Sequence, residues 1–112
     1  MFEQEEIKGP EFDEKVIKSD KLVLIDLWAD WCHPCKLIEP FVFEAAQRHP
    51  EKVKVYRLNV DDFPEIPSRY KVISIPTILF FKNGKEVHRI VGSASKKEYI
   101  KWVDELVKDE DR

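Results

Sequence analysis

The sequence predicts an α/β fold in three layers, a central mixed sheet of four to five strands flanked by four helices. Three observations predict it. Apolar runs of strand length alternate with segments of helical periodicity; 43% of residues are apolar, with three Trp, three Tyr and seven Phe, enough for a core; and Asn83-Gly84 stands between two strand-like runs. Strands alternating with helices require a sheet covered on both faces, with parallel crossovers early and an antiparallel hairpin late. At 112 residues the chain fits one domain, residues 1–112, with no visible repeat or low-complexity linker.

Gly9-Pro10 interrupts the chain, and Pro suits a helix's first turn, where its missing N–H has no partner in any case. Over residues 11–19, Phe12 and Val16 share a face and predict a short first helix. Residues 21–29 (KLVLIDLWA) form a nearly continuous apolar run. A strand covered on both faces has no solvent side and loses its alternation, so this is a central strand with one anomaly, Asp26. Pro34 opens a second helix reaching about residue 49, whose apolar face carries Leu37, Ile38, Phe41, Val42, Ala45 and Ala46. Pro40 lies inside it, but the periodicity continues beyond, which predicts a kink and no termination.

Residues 53–60 are rich in β-branched side chains and make a second strand. Across residues 62–70, Pro64 and Pro67 leave room only for a short or irregular helix. Residues 77–81 are apolar again, and Asn83-Gly84 accepts the positive φ values of a type I′ turn, so TILFFKNGKEVHRIV is a hairpin. Ser95 and Glu98 have capping-box spacing. Ile100, Val103 and Val107 then line one face of a terminal helix, with Tyr99 and Leu106 beside them.

Nineteen Lys and Arg against 22 Asp and Glu give a formal charge of −3, with no basic stripe to neutralise phosphates, so nucleic-acid binding is not expected. Apolar stretches such as residues 22–25 stop far short of the ~18–20 residues of a membrane span. The start, MFEQEEIKG, is acidic where a secretory signal is basic and then apolar, so a cytoplasmic protein is expected. Charged residues reach 37% and the thermolabile amides are Gln4, Gln47, Asn59 and Asn83, a composition that points to a thermostable protein.

Both cysteines lie in one pentapeptide, Trp31-Cys32-His33-Pro34-Cys35, where the buried strand gives way to the second helix. Unpaired N–H groups and the positive helix end favour a thiolate at Cys32. Cys35, one turn on, falls about 5–6 Å away, within disulfide reach. One thiolate can attack a substrate disulfide to form a mixed disulfide, and the second thiol can release it, provided the pair is exposed enough to meet another protein. Three other readings compete. A zinc site needs four ligands, and beyond the cysteines only His33, His49 and His88 are on offer, with His33 hemmed between the thiols. A structural disulfide closing so small a loop constrains the unfolded chain little. Two inert thiols fit poorly at a helix N-terminus. Asp26 is costly in an apolar strand; it serves either as a proton partner for Cys35 or as the counter-ion of a buried cation such as Arg57. Pro76 opens a strand, a place that tolerates its missing donor.

The stretches IDLWADWCHPCK, NVDD, SIPT, FFKNGK and the following Gly92, in this order, resemble the thioredoxin family over most of the chain. The resemblance implies the thioredoxin-like fold and protein dithiol–disulfide exchange, with Cys32 attacking, Cys35 resolving and Asp26 as its proton partner. It implies a cis bond at Pro76 against the dithiol, with Trp31, Ile75, Pro76, Gly92 and Ala94 as an apolar platform for an extended client chain. No tightly bound cofactor or metal is expected, since the dithiol is the redox centre. The implied partners are disulfide-containing client proteins and a thioredoxin reductase-type electron donor, and a monomer is expected. Trp28, Phe12 and Trp102 are assigned to packing.

Rival readings are a more oxidising disulfide oxidase or isomerase, and a non-catalytic binding module on the same scaffold. The chain departs from the family at His33, at Arg57 where Lys is usual, and at Lys71 where Gly is common, the last read as surface variation. Beside Pro34, a cationic His33 stabilises the Cys32 thiolate and hence the reduced form. Equilibrated against glutathione, His33→Gly should therefore show a lower reduction potential than the parent; an equal or higher value rejects this role.

Overall fold

The computed structural model describes residues 4–108, so the outermost residues of the predicted 1–112 domain, with the first three of its acidic start, lie outside the described range. Five strands form one mixed sheet in the order β1-β3-β2-β4-β5: β1 (Glu5–Glu6), β2 (Leu22–Trp28), β3 (Val53–Asn59), β4 (Thr77–Lys82) and β5 (Lys85–Val91). β1, β3 and β2 run parallel, while β4 pairs antiparallel with β2 and with β5. The helices are α1 (His33–Gln47), α2 (Glu65–Arg69) and α3 (Lys96–Lys108), preceded by a 3-10 turn at Gly9–Glu11 and a π-helical turn at Asp13–Ile17.

The lost alternation of β2 has the expected cause. Its pleat sends Leu22 and Leu24 into one core with Ile38, Val42, Tyr99 and Val103 of α1 and α3. Val23, Ile25 and Leu27 enter a second core with Phe12, Val16 and Ile66 on the opposite face. Phe12 and Val16 do share an inward face, and the short helix expected over residues 11–19 is present as a 3-10 turn leading into a π-helical one. β1 has no apolar pattern to announce it: Glu5 and Glu6 are exposed, and it is placed by backbone pairing to β3 and by ion pairs of the two glutamates.

α1 runs through Pro40 without ending. Leu37 does not join its apolar face: it stands about 100° round the helix from Ile38 and is 58% exposed. At the hairpin, Asn83 and Gly84 have φ of 52° and 79°, as a type I′ turn requires, and a Cβ at Gly84 would stand 2.9 Å from the Ile17 carbonyl oxygen. Ser95 caps α3 by accepting from the Glu98 N–H at 3.2 Å, while the Glu98 carboxylate accepts from Trp102 Nε1 at 3.0 Å.

Lys71 is more than surface variation. Its N–H donates to the Ser68 carbonyl and the Val72 N–H to the Pro67 carbonyl, the paired bonds of a Schellman motif closing α2, and Lys71 takes the left-handed conformation there with φ 56°. A side chain at that position costs ~1–2 kcal/mol, against ~0.5–1 kcal/mol for the extra freedom glycine has in the unfolded chain. Lys71→Gly should therefore raise stability by about 0.5 kcal/mol, seen as a higher urea midpoint at unchanged slope.

Candidate active site

The carboxyl ends of β2 and β3 open at one edge of the sheet, the edge where open α/β sheets place their sites. There β2 ends at Trp28 and the chain turns through residues 29–31, with the Cys32 N–H donating to the Ala29 carbonyl at 3.1 Å. Cys32 is the N-cap of α1: its backbone is extended and its Sγ accepts from the Cys35 N–H at 3.3 Å, so a helix donor already points at this sulfur. Cys32 and Cys35 are joined in a disulfide, with Cα atoms 5.4 Å apart. Pro34 fills the first turn, where no N–H is needed, and His33 beside it is exposed.

Both cysteines are only 3% exposed, less than the sequence suggested. They sit with Ala29 beneath a rim of half-buried Trp28, Val60 and Ile75. Beside that rim runs a shallow groove of about 240 Å³, lined by Trp31, Val60, Pro67, Val72, Ile73, Ser74 and Ile75. Ile73 is 98% exposed and Trp31 69%, Trp31 being steadied by its Nε1 donating to Asp61 Oδ2 at 2.9 Å. The Schellman motif after α2 carries Pro67 and Val72 into the groove wall.

The Ile75–Pro76 peptide is cis, and Pro76 is buried. Its carbonyl accepts from the Gly92 N–H at 2.8 Å, with Gly92 at φ 84° and open space where a Cβ would stand. Of the five platform residues, Trp31 and Ile75 meet at the groove and Pro76 and Gly92 bond to each other. Ala94 turns instead toward the core under α1 and α3.

Asp26 is 1% exposed, and among the described residues its Oδ1 has no hydrogen-bond partner. Burial pushes its carboxyl up to about 7; Arg57 opposes this, and Glu39 and Glu6 add to it. The pleat points it with Leu22 and Leu24 to the face that α1 covers, the side of Cys35. Arg57 is its neighbour across the β2–β3 pairing, yet among the described residues the ion pairs of Arg57 run to Glu39 and Glu6. Tyr99 Oη, also buried, lacks a hydrogen-bond partner among the described residues; burial and then Asp26 push this phenol up to about 12, against the opposing backbone of Ala94.

Sequence reasoning missed Ile73, Val60 and Val72 of the groove, and Glu6, Glu39 and Tyr99 around Asp26. Glu39 alone carried a signal, standing one helical turn after Cys35. Among the described residues no group of three His, Cys, Asp or Glu could hold a metal ion, and no helix is long and apolar enough to cross a membrane.

The thioredoxin family profile matches residues 3–105. A thioredoxin of Rickettsia bellii is 45% identical over 93 residues, 83% of this chain and 89% of that protein. One of Rickettsia typhi is 41% identical over 96 residues, 86% of this chain and 91% of its own. An M-type chloroplastic thioredoxin of Spinacia oleracea is 43% identical over 94 residues, 84% of this chain and 52% of that longer protein. A profile that spans nearly the whole chain, matched by a paired Cys-x-x-Cys at the head of α1, means that the chain belongs to the thioredoxin family and is a protein dithiol–disulfide oxidoreductase.

Proposed function

We propose that Cys32 is the attacking thiolate, Cys35 the resolving thiol and Asp26 its proton partner. The observation that carries the reading is the Cys32 sulfur at the N-cap of α1, bonded to Cys35 and already facing its N–H. In the reduced protein the Cys32 thiolate attacks one sulfur of a client disulfide; a mixed disulfide forms and the other client sulfur leaves as thiolate. Asp26 takes the Cys35 proton, Cys35 attacks Cys32 Sγ, the first client sulfur leaves, and the Cys32–Cys35 disulfide forms with two electrons passed to the client.

The family's partners are disulfide-bearing clients and a reductase. For this chain the finer reading is a monomeric cytoplasmic domain without bound cofactor, re-reduced by a thioredoxin reductase-type donor. The client lies along the Trp31–Ile75 groove, its backbone pairing near Ile75 as an added strand, with Pro76 and Gly92 behind it. The oxidase reading and the binding module gain no support from the site. The test is Cys35→Ser, which should accumulate mixed disulfides with clients that reductant dissolves, whereas Cys32→Ser should trap none. Complexes that survive reductant in Cys35→Ser would favour the binding module.

Asp26 also ties stability to pH. Its folded pKa, about 7, lies above the unfolded value near 3.8, so the folded state holds the proton more tightly. The stability so gained is fully present below about pH 4 and is lost as pH rises through about 7. Asp26→Asn has no such dependence. Its stability relative to the parent should grow by about 3 kcal/mol between pH 5 and pH 8, since each pH unit below the folded pKa is worth about 1.36 kcal/mol. Parallel denaturant curves for the two proteins would refute the buried, titrating Asp26.

A further inference from the structure

At the level of Asp26 one row of residues crosses the sheet: Glu6 on β1, Arg57 on β3, Asp26 on β2, Ile78 on β4 and Ile90 on β5. All five project to the face that α1 covers, and Glu39 comes down from α1 onto the same row. A guanidinium between two carboxylates can serve either. Here the outer acids hold it: Arg57 Nε lies 2.9 Å from Glu39 Oε2, though without the alignment of a hydrogen bond, and Nη1 lies 3.4 Å from Glu6 Oε1. The guanidinium carbon stands 4.0 Å from the centre of the Trp28 ring, and Trp28 Nε1 donates to Glu6 Oε2 at 2.9 Å. Gln4 Nε2 donates to the Glu39 carbonyl at 3.0 Å, tying this turn of α1 to the strand edge.

We propose that Glu39, seconded by Glu6, is a positioning residue of the redox site: it holds Arg57 against Trp28 and away from Asp26, and so decides how readily Asp26 releases its proton. The inference rests on the reading of Asp26 given above only for its effect on catalysis. Two consequences of Glu39 act in the same direction. Its negative charge disfavours a second carboxylate nearby, and its ion pair draws off the cation that would favour one. The groups acting on Asp26 are Arg57 from β3, Glu39 from α1 and Glu6 from β1; from α3 the Tyr99 phenol feels Asp26 in turn, and β4 offers the apolar Ile78. Burial is the largest influence on Asp26, and Glu39 and Glu6 both raise it while Arg57 lowers it.

The experiment follows the Asp26 side-chain carboxyl by carbon NMR across pH in the oxidised full chain, where neither cysteine titrates. Glu39→Gln should lower the midpoint by about 1 pH unit, Glu6→Gln should lower it less, and Glu39→Asp should return it toward the parent. Glu44→Gln is the control, an acid of the same helix paired with Lys96, and should leave the midpoint in place. An unmoved or raised midpoint in Glu39→Gln, or an equal fall in Glu44→Gln, overturns the inference and leaves the reading of Asp26 as proton partner standing. A midpoint that falls while the resolving step keeps its pH profile upholds the hold on Arg57 and removes Asp26 from that reading.

Discussion

β2 has no solvent side, and the site depends on that constraint. Its residues from Leu22 to Leu27 are all buried because each face of the strand closes a separate core. A polar side chain placed there loses water whichever way the pleat turns it, which is why Asp26 holds its proton toward neutrality. The strand that carries the carboxylate also ends at the loop that starts α1. Burial of the acid and placement of the sulfurs are therefore two results of one central strand.

The helix end supplies what the strand cannot. An α-helix begins with N–H groups that have no internal partner, and Cys32 stands at the cap with its sulfur receiving one of them. Pro34 costs nothing in this first turn, whereas Pro40, further along, removes a bond from α1 that the helix survives because Ile38, Val42, Ala45 and Ala46 remain packed on the sheet. The rim of Trp28, Val60 and Ile75 then limits access to a direction set by the neighbouring groove.

Much of this was legible in the sequence because the signals were local or periodic. The apolar run of β2, the Asn83-Gly84 turn, the Ser95 cap and the Cys-x-x-Cys spacing each state a backbone requirement within a few residues. Most of what escaped had no such pattern, Glu39 one turn after Cys35 being the exception. β1 is two exposed glutamates held by pairing to a strand some fifty residues later. Lys71 looked like an ordinary surface lysine, since a left-handed φ is written into the geometry of the α2 end and not into the side chain that occupies it. Leu37 was misplaced by a single step of helix phase. At the site, Arg57 was seen as a possible partner of Asp26, but Glu6 and Glu39, which hold it, come from elements that meet only in the folded sheet.

The near burial of both sulfurs bears on what kind of client can react. Each cysteine is 3% exposed and packed against Trp28, Val60 and Ile75, so a disulfide on a rigid convex surface meets this rim before it meets either sulfur. In the proposed binding mode an extended segment reaches them, since a single strand is narrow enough to lie in the groove while its backbone finds partners near Ile75. Such segments are supplied by local unfolding, whose cost differs from client to client. The apolar walls contributed by Trp31, Val72 and Ile73 reward any such segment with buried surface and little demand for sequence. Under the proposed binding mode, discrimination among clients follows the ease with which each exposes its disulfide in extended form, a selection made by the shape of the site before any sulfur chemistry begins.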